Sequence, residues 1–229
     1  MGQNLKSENK FIQISCDGGA ATGKSTGAKL IAKKYKLKFL SSGLLYRYAS
    51  LIILKNNPKN KISFLKKKFK NLNYKKIEKL KMHSQEISNY TSIIAKQGKI
   101  RKVLKKFQVE FAKKNKNCCI EGRDISTNIL PRSDLKFFFK CNLSIAAFRR
   151  YKDLKKGNLK IKLKDVKKAL RIRNLSDTKR KNSPLLRHQD SIEIDTGKLD
   201  KTRMLSKMSE AVEKVLKKKY GNRTRAKRK

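Results

Sequence analysis

Short apolar runs separated by longer helical stretches set the rhythm of this chain. Phe11-Ile12-Gln13-Ile14-Ser15-Cys16 has the composition of a buried strand, and Lys38-Phe39-Leu40 that of a second, shorter one. Asn117-Cys118-Cys119-Ile120 predicts another strand, Asp134–Cys141 a clearer one, and Ser191–Thr196 a short strand with alternating apolar residues. Between them lie helical patterns. Thr26–Lys34 is one, and Leu44–Ala49 opens a second, with Ser41 or Ser42 as its cap. Tyr74–Lys114 has helical spacing through Ile77, Leu80, Ile87, Ile93, Ile94, Val103, Leu104, Phe107 and Phe111, broken in two at Gly98. Further helices are expected from Ser144 to Tyr151 and over Asp165–Asn174, with a Lys/Gly-rich turn around Gly157 between them. Leu205–Tyr220 closes the chain amphipathically, with Met208, Ala211, Val212 and Val215 on one side. Leu51–Asn71 is lysine-rich, is interrupted by Asn56-Asn57-Pro58, and is expected to be an insertion outside the core. Strands alternating with helices imply a parallel sheet covered on both faces. Ligands then collect at the carboxyl ends of the strands, and each polar motif of this chain follows a strand.

The first of those motifs is Gly18-Gly19-Ala20-Ala21-Thr22-Gly23-Lys24-Ser25, followed by Thr26. It fits the phosphate-loop pattern G-x-x-x-x-G-K-[ST] in a strand–loop–helix context. Gly18 and Gly23 permit backbone conformations that a Cβ disfavours. The loop N–H groups can then turn inward onto phosphate oxygens at a helix N-terminus. Lys24 adds a positive charge for the β- and γ-phosphates of ATP, and the Ser25 hydroxyl is the expected Mg²⁺ ligand.

Composition narrows the class and adds one distraction. A chain of 229 residues suits one compact domain with insertions or two small ones. No apolar run approaches the ~18 residues of a membrane span. The polar stretch Met1–Lys10 has no signal-peptide core, so a cytoplasmic location without membrane contact is expected. Cys16, Cys118, Cys119 and Cys141 lack metal-ligand spacing and fit buried thiols in a reducing compartment. Adjacent Cys118 and Cys119 are expected on opposite faces of one strand. Lys and Arg number 62 against 17 acidic residues, a formal net charge of +45. Such charge attracts polyanions, but it is spread along the chain with few interleaved aromatics for base stacking. A lysine-rich surface on an ordinary enzyme is expected, without a specific nucleic-acid partner. Arg223–Lys229 adds a frayed basic tail, and His83 and His188 are isolated surface residues.

Five patches taken together are more specific than the phosphate loop alone. They are Asp17–Thr26, Ser42-Gly43-Leu44-Leu45-Tyr46-Arg47, Ile100–Gln108, Glu121-Gly122-Arg123-Asp124-Ile125-Ser126-Thr127, and Arg173–Thr196 with its Asp177, Arg180 and Ser183-Pro184-Leu185. In this order, spread from residue 11 to 215, they resemble the bacterial cytidylate kinases. The resemblance implies an α/β P-loop NTPase-type fold of three layers, adenylate-kinase-like, around a central parallel sheet. It implies a core over 10–50 and 105–220, an acceptor-nucleotide-binding insertion over 51–104 and a lid over 150–172. It also implies ATP as donor, Mg²⁺ as cofactor, CMP and dCMP as acceptors, and a monomer. By the same resemblance Ser92, Arg101 and Asp124 match the positions that read cytosine. Ser42, Arg47 and Arg123 match those near the acceptor phosphate. Arg173, Asp177 and Arg180 match the segment reaching the ribose and the transferring phosphate. Ser41 stands where the family usually carries Asp, Ser126 where a glycine is expected, and the stretch from Lys61 to Ser92 aligns poorly.

The chemistry of these residue types agrees with those roles. Cytosine presents an amino donor at C4 and acceptors at O2 and N3. An Asp can accept from the amino group, while Arg and Ser can donate to the acceptors. Uracil carries a carbonyl at C4, which a carboxylate repels. Phosphoryl transfer brings two anions into line and needs their charge neutralised, a task suited to the forked, permanently charged guanidinium. Direct in-line transfer is therefore expected, with Lys24, Arg47, Arg123, Arg149 or Arg150, Arg173 and Arg180 as electrostatic stabilisers. The rivals are a kinase for UMP or AMP and a basic RNA-binding protein with a phosphate loop.

Overall fold

A computed structural model of the protein describes residues 10–80, 82, 84–156 and 160–221. The basic tail beyond Gly221, His83 and the turn at 157–159 lie outside the described residues. Five parallel strands form the sheet: β1 (Gln13–Gly18), β2 (Lys38–Ser41), β3 (Cys118–Gly122), β4 (Leu135–Lys140) and β5 (Ile192–Asp195). Their spatial order is β2-β3-β1-β4-β5, so the phosphate-loop strand is central. All five expected strands form, with ends shifted by one or two residues.

Side-chain alternation divides the core between the two sheet faces. Cys118 and Ile120 face one layer and Cys119 the other, as the doublet of cysteines predicts. Ile12, Ile14, Cys16, Phe137, Phe139 and Ile194 pack under α1 (Lys24–Lys34) and α9 (Lys201–Tyr220), where Met204, Met208, Val212 and Leu216 form the buried stripe. The opposite face is covered by α2 (Ser42–Asn56), α3 (Lys61–Lys70), α4 (Tyr74–Glu78), α5 (Gln85–Ile94) and α6 (Gly98–Lys114). A hairpin of α7 (Leu143–Lys155) and α8 (Leu163–Lys179) adds a small cluster of Ala146, Ala147, Val166 and Leu170 against Ala20 of the phosphate loop.

Three expectations change. Leu51–Asn71 is not a coreless insertion: Ile52, Ile53, Leu65 and Phe69 are buried in the cluster beneath α2–α6. Lysines dominate its composition, but they occupy the outer faces of α2 and α3, while the apolar residues fall at helical intervals on the inner face. Leu80 and Ile93, counted with the buried stripe, are 42% and 54% exposed. The boundaries expected at 50/51 and 104/105 fall inside the continuous helices α2 and α6, and those at 150 and 172 inside α7 and α8. The break at Gly98 is real, since α5 ends at Ile94 and α6 begins at Gly98.

Cys16, Cys118 and Cys119 are buried free thiols, whereas Cys141 is half-buried. Among the described residues no helix is long and apolar enough to cross a membrane.

Candidate active site

The phosphate loop runs from the end of β1 into α1. Gly18 has φ 154°, and any Cβ there would run into the Phe139 carbonyl of β4. Gly23, at φ 75°, is the left-handed residue that launches α1. Ala21 is left-handed as well, at φ 58°, a conformation uncommon for a residue with a side chain. Thr22 steadies the turn by donating to the Gly19 carbonyl at 3.0 Å, and Thr196 donates to the Thr22 carbonyl at 2.8 Å. Asn174 of α8 accepts from the Ala20 N–H at 2.9 Å, so the helix of the hairpin touches the loop directly.

Lys24 is buried, and its ammonium sits 2.5 Å from Glu121 Oε2 at the end of β3. The other oxygen of Glu121 accepts from the Ser41 hydroxyl at the end of β2. Burial pushes the Glu121 carboxyl up, but Lys24, Ser41 and Arg123 outweigh it and hold the carboxyl below its usual range. The serine at 41 thus gives a carboxylate a donor where a second carboxylate would have repelled it. One strand over, the fully buried Asp17 accepts from Ile125 N, Ser126 N and Ser126 Oγ at 2.8, 2.7 and 2.6 Å. These bonds anchor a π-helical turn over Ile125–Ile129. Ser126 contributes a hydroxyl that a glycine could not, so this departure strengthens the same turn.

On the acceptor side a chain of ion pairs crosses the cleft. Arg101 on α6 donates to Asp124 Oδ2 at 2.6 Å and stacks over the Tyr46 ring at 5.6 Å. Burial pushes the Tyr46 phenol up to about 12. Arg180 lies 3.5 Å from both Asp124 Oδ1 and Asp177 Oδ1, and Arg123 donates to Asp177 Oδ2 at 2.9 Å. Arg101 Nε and Arg180 Nη2 are buried donors without a hydrogen-bond partner. Deeper in the cleft, positive charges crowd one another. Burial first, then Arg123, Arg47 and Arg150, pull the Arg173 guanidinium down to about 10, with Asp177 opposing. Burial, Arg150 and Arg123 likewise lower Arg47, which donates to the Met82 carbonyl and Ser88 Oγ, each at 2.9 Å.

A single open cleft of about 890 Å³ collects these groups at the carboxyl edge of the sheet. Gly19, Ala20, Ala21, Thr22, Gly23, Lys24, Ser25 and Thr26 line its donor side. Ser42, Arg47, Arg101, Arg123, Asp124, Arg150, Arg173, Asp177 and Arg180 line the rest. Gly18 stands behind the lining, as its contact with β4 requires. Ser92 is not brought in: its hydroxyl donates back to the Ser88 carbonyl at 3.3 Å, and Thr91 is the residue of α5 that faces the cleft. Spacing along a helix cannot separate neighbouring residues about 100° apart when only one face meets the ligand. Arg149 also lines the cleft but is tied to Thr196, at 3.1 Å to its Oγ1 and 2.7 Å to its carbonyl. Arg150 adds instead to the charge around Arg47 and Arg173. His188 lies outside the cleft, half-buried beside Asp190.

Glu121, Tyr46 and Asn174 have no role predicted by the sequence, and Ser41 only that of a helix cap, which it fills by accepting from Leu44 N at 3.2 Å. Glu121 carried a signal nonetheless, a lone carboxylate closing the apolar run Cys118-Cys119-Ile120. Asn174 carried none, because its partner is 154 residues away.

A five-stranded parallel sheet with a phosphate loop on its central strand and an arginine-lined cleft beside it defines a P-loop kinase of the nucleoside monophosphate class. Solved structures agree on the fold: an uncharacterized protein from Eubacterium ventriosum matches with a TM-score of 0.53 at 16% identity, covering 90% of this chain and 99% of that one. Shikimate kinase from Acinetobacter baumannii matches at 0.50 and 14%, covering 90% and 96%. The sequence profile of the cytidylate kinase family matches residues 14–214. A cytidylate kinase of Thermosipho melanesiensis is 34% identical over 215 residues, covering 90% of this chain and 95% of its own. One from Listeria monocytogenes is 35% identical over 201 residues, covering 82% and 89%. This chain belongs to the cytidylate kinase family.

Proposed function

We propose that the enzyme transfers the γ-phosphoryl group of ATP directly to the phosphate of CMP, and of dCMP, yielding ADP and the cytidine diphosphate. The cleft chemistry supports this reading through one observation above the others. Burial and the crowding of Arg123, Arg47 and Arg150 pull the Arg173 pKa down to about 10, with Asp177 the acidic group that opposes the shift. Such a cluster is matched by polyanions, and two phosphate chains meeting in line supply them.

Arg47, Arg123 and Ser42 hold the acceptor phosphate, and Lys24 turns from Glu121 to the β- and γ-phosphates. Arg150 and Arg173 neutralise charge that develops in the transition state. Asp124 accepts from the cytosine amino group, while Arg101 Nε, a buried donor without a hydrogen-bond partner, and Arg180 Nη2, only ion-paired to Asp124 at 3.5 Å, are the donors for O2 and N3. Mg²⁺ fits a site with one hydroxyl, one carboxylate and substrate phosphates, so Ser25 and Glu121 are its protein-side partners. When bound, it would supply positive charge that offsets the charge of the substrate phosphates. No side-chain nucleophile takes part. The α7–α8 hairpin, which contains residues 150–172, acts as the lid, and the helices from the end of α2 to the start of α6 act as the acceptor module on the sheet core. Both substrates are served within one chain, in keeping with a cytoplasmic monomer.

The decisive assay offers purified protein CMP, dCMP, UMP and AMP with ATP and Mg²⁺. CMP and dCMP are expected to turn over fastest, and Lys24→Ala to lower kcat by about 10²–10³, the scale of losing one charge-stabilising donor. Turnover of UMP or AMP without CMP overturns the assignment.

A further inference from the structure

Behind the base-reading carboxylate lies a second layer that the reaction scheme does not use. Asn128 sits in the π-helical turn, four residues after Asp124. Its Nδ2 donates to Asp124 Oδ2 and to Ser183 Oγ, each at 3.0 Å, and its Oδ1 accepts from Lys105 Nζ at 2.8 Å. Every hydrogen-bonding group of the carboxamide is engaged, and only one orientation satisfies a cation on one side and a carboxylate on the other. Ser183 shows the strength of the clip. It holds the left-handed conformation at φ 51°, rare for serine, while its carbonyl accepts from Arg180 Nε at 2.7 Å.

We propose that Asn128 is a positioning residue for the acceptor base, joining Asp124 to the segment that carries Arg180. Its amide presets the angle of the Asp124 carboxylate. Through Ser183 it presets the Arg180 guanidinium on the other side of the base. It also separates the Lys105 ammonium from Asp124, an ion pair that would draw the carboxylate away from the cleft. The proposal rests on the reading of Asp124 and Arg180 as cytosine partners.

The test compares wild type, Asn128→Ala and Lys105→Met for KM and kcat with CMP, UMP and ATP, alongside melting temperature with and without CMP. Asn128→Ala is expected to raise the CMP KM about tenfold, the scale of one hydrogen bond to a charged group. The ATP KM should stay within about twofold, the CMP-over-UMP preference should narrow, and the rise in melting temperature caused by CMP should shrink. Lys105→Met, at a half-exposed site that spares the core, should move the same quantities about threefold by loosening the amide. If both variants keep the wild-type CMP KM and selectivity while only melting falls, Asn128 is structural and the proposal is wrong. A wild-type enzyme inactive on CMP defeats the underlying reading instead, and the two failures are thereby distinct.

Discussion

At the scale of single residues, the site trades folding stability for affinity. Arg173 is the clearest case. Its folded pKa of about 10 lies below the ordinary 12.5. For a base with a depressed folded pKa, the cost of carrying the charge is fully present below that folded value. It fades only as pH rises from about 10 towards 12.5, where the unfolded chain binds the extra proton. At neutral pH, Arg173→Met should therefore raise the melting temperature of the free enzyme, because it removes a buried charge that costs stability. The same change should lower kcat by at least about 10². Differential scanning fluorimetry and a coupled assay check both, and a variant that melts lower than wild type contradicts the repulsion argument. Lys24, Arg123, Asp124 and Arg173, which the motifs and the family resemblance single out, all line one cleft. Ser92 lies off the cleft and Thr91, its neighbour on α5, lines it.

At the scale of elements, the short connections after the strands do most of the positioning. The π-helical turn over Ile125–Ile129 hangs on three hydrogen bonds to Asp17. Burial pushes the Asp17 carboxyl up, and the Ser126 and Ile125 donors work against that shift. Asp17→Ala should leave two buried backbone N–H groups orphaned and cost about 3 kcal/mol in urea unfolding. It should also weaken CMP turnover, because Asp124 and Asn128 ride on that turn. A loss below about 1 kcal/mol, with CMP kinetics unchanged, would exclude this role. The strands were visible as apolar runs, α1 and α9 as helical stretches, and α2 together with its cap, which is Ser41. The α8 helix runs to Lys179, five residues past the expected Asn174, because its polar C-terminal turns are stabilised by contacts no local pattern records. Asn174 meets the phosphate loop there, and Asp177 meets Arg123 and Arg180.

At the scale of the whole molecule, the question is how an open cleft becomes a water-excluding one. The α7–α8 hairpin carries Arg150, Arg173 and Asp177 over the phosphate loop, and phosphoryl transfer to a nucleotide competes with hydrolysis unless the site closes. Solution scattering with a bisubstrate ligand is expected to show a smaller radius of gyration than the free chain, and an unchanged profile would remove closure from the mechanism. The charge of +45 assists encounter with anionic substrates and makes on-rates fall with salt, without bearing on the fold. By itself the sequence determined the α/β class, the donor loop and the family. Those depend on periodicity and on side chains and glycines whose chemistry has few substitutes. Only the tertiary structure decided which of two adjacent helical residues reaches the cleft, that the lysine-rich stretch buries Leu65 and Phe69, that Glu121 and Ser41 line the site, and that Asn128 bonds to Asp124. These are long-range facts. Residues far apart in the chain meet because the parallel sheet brings every strand end to one edge, and no local pattern encodes which side chains come face to face there.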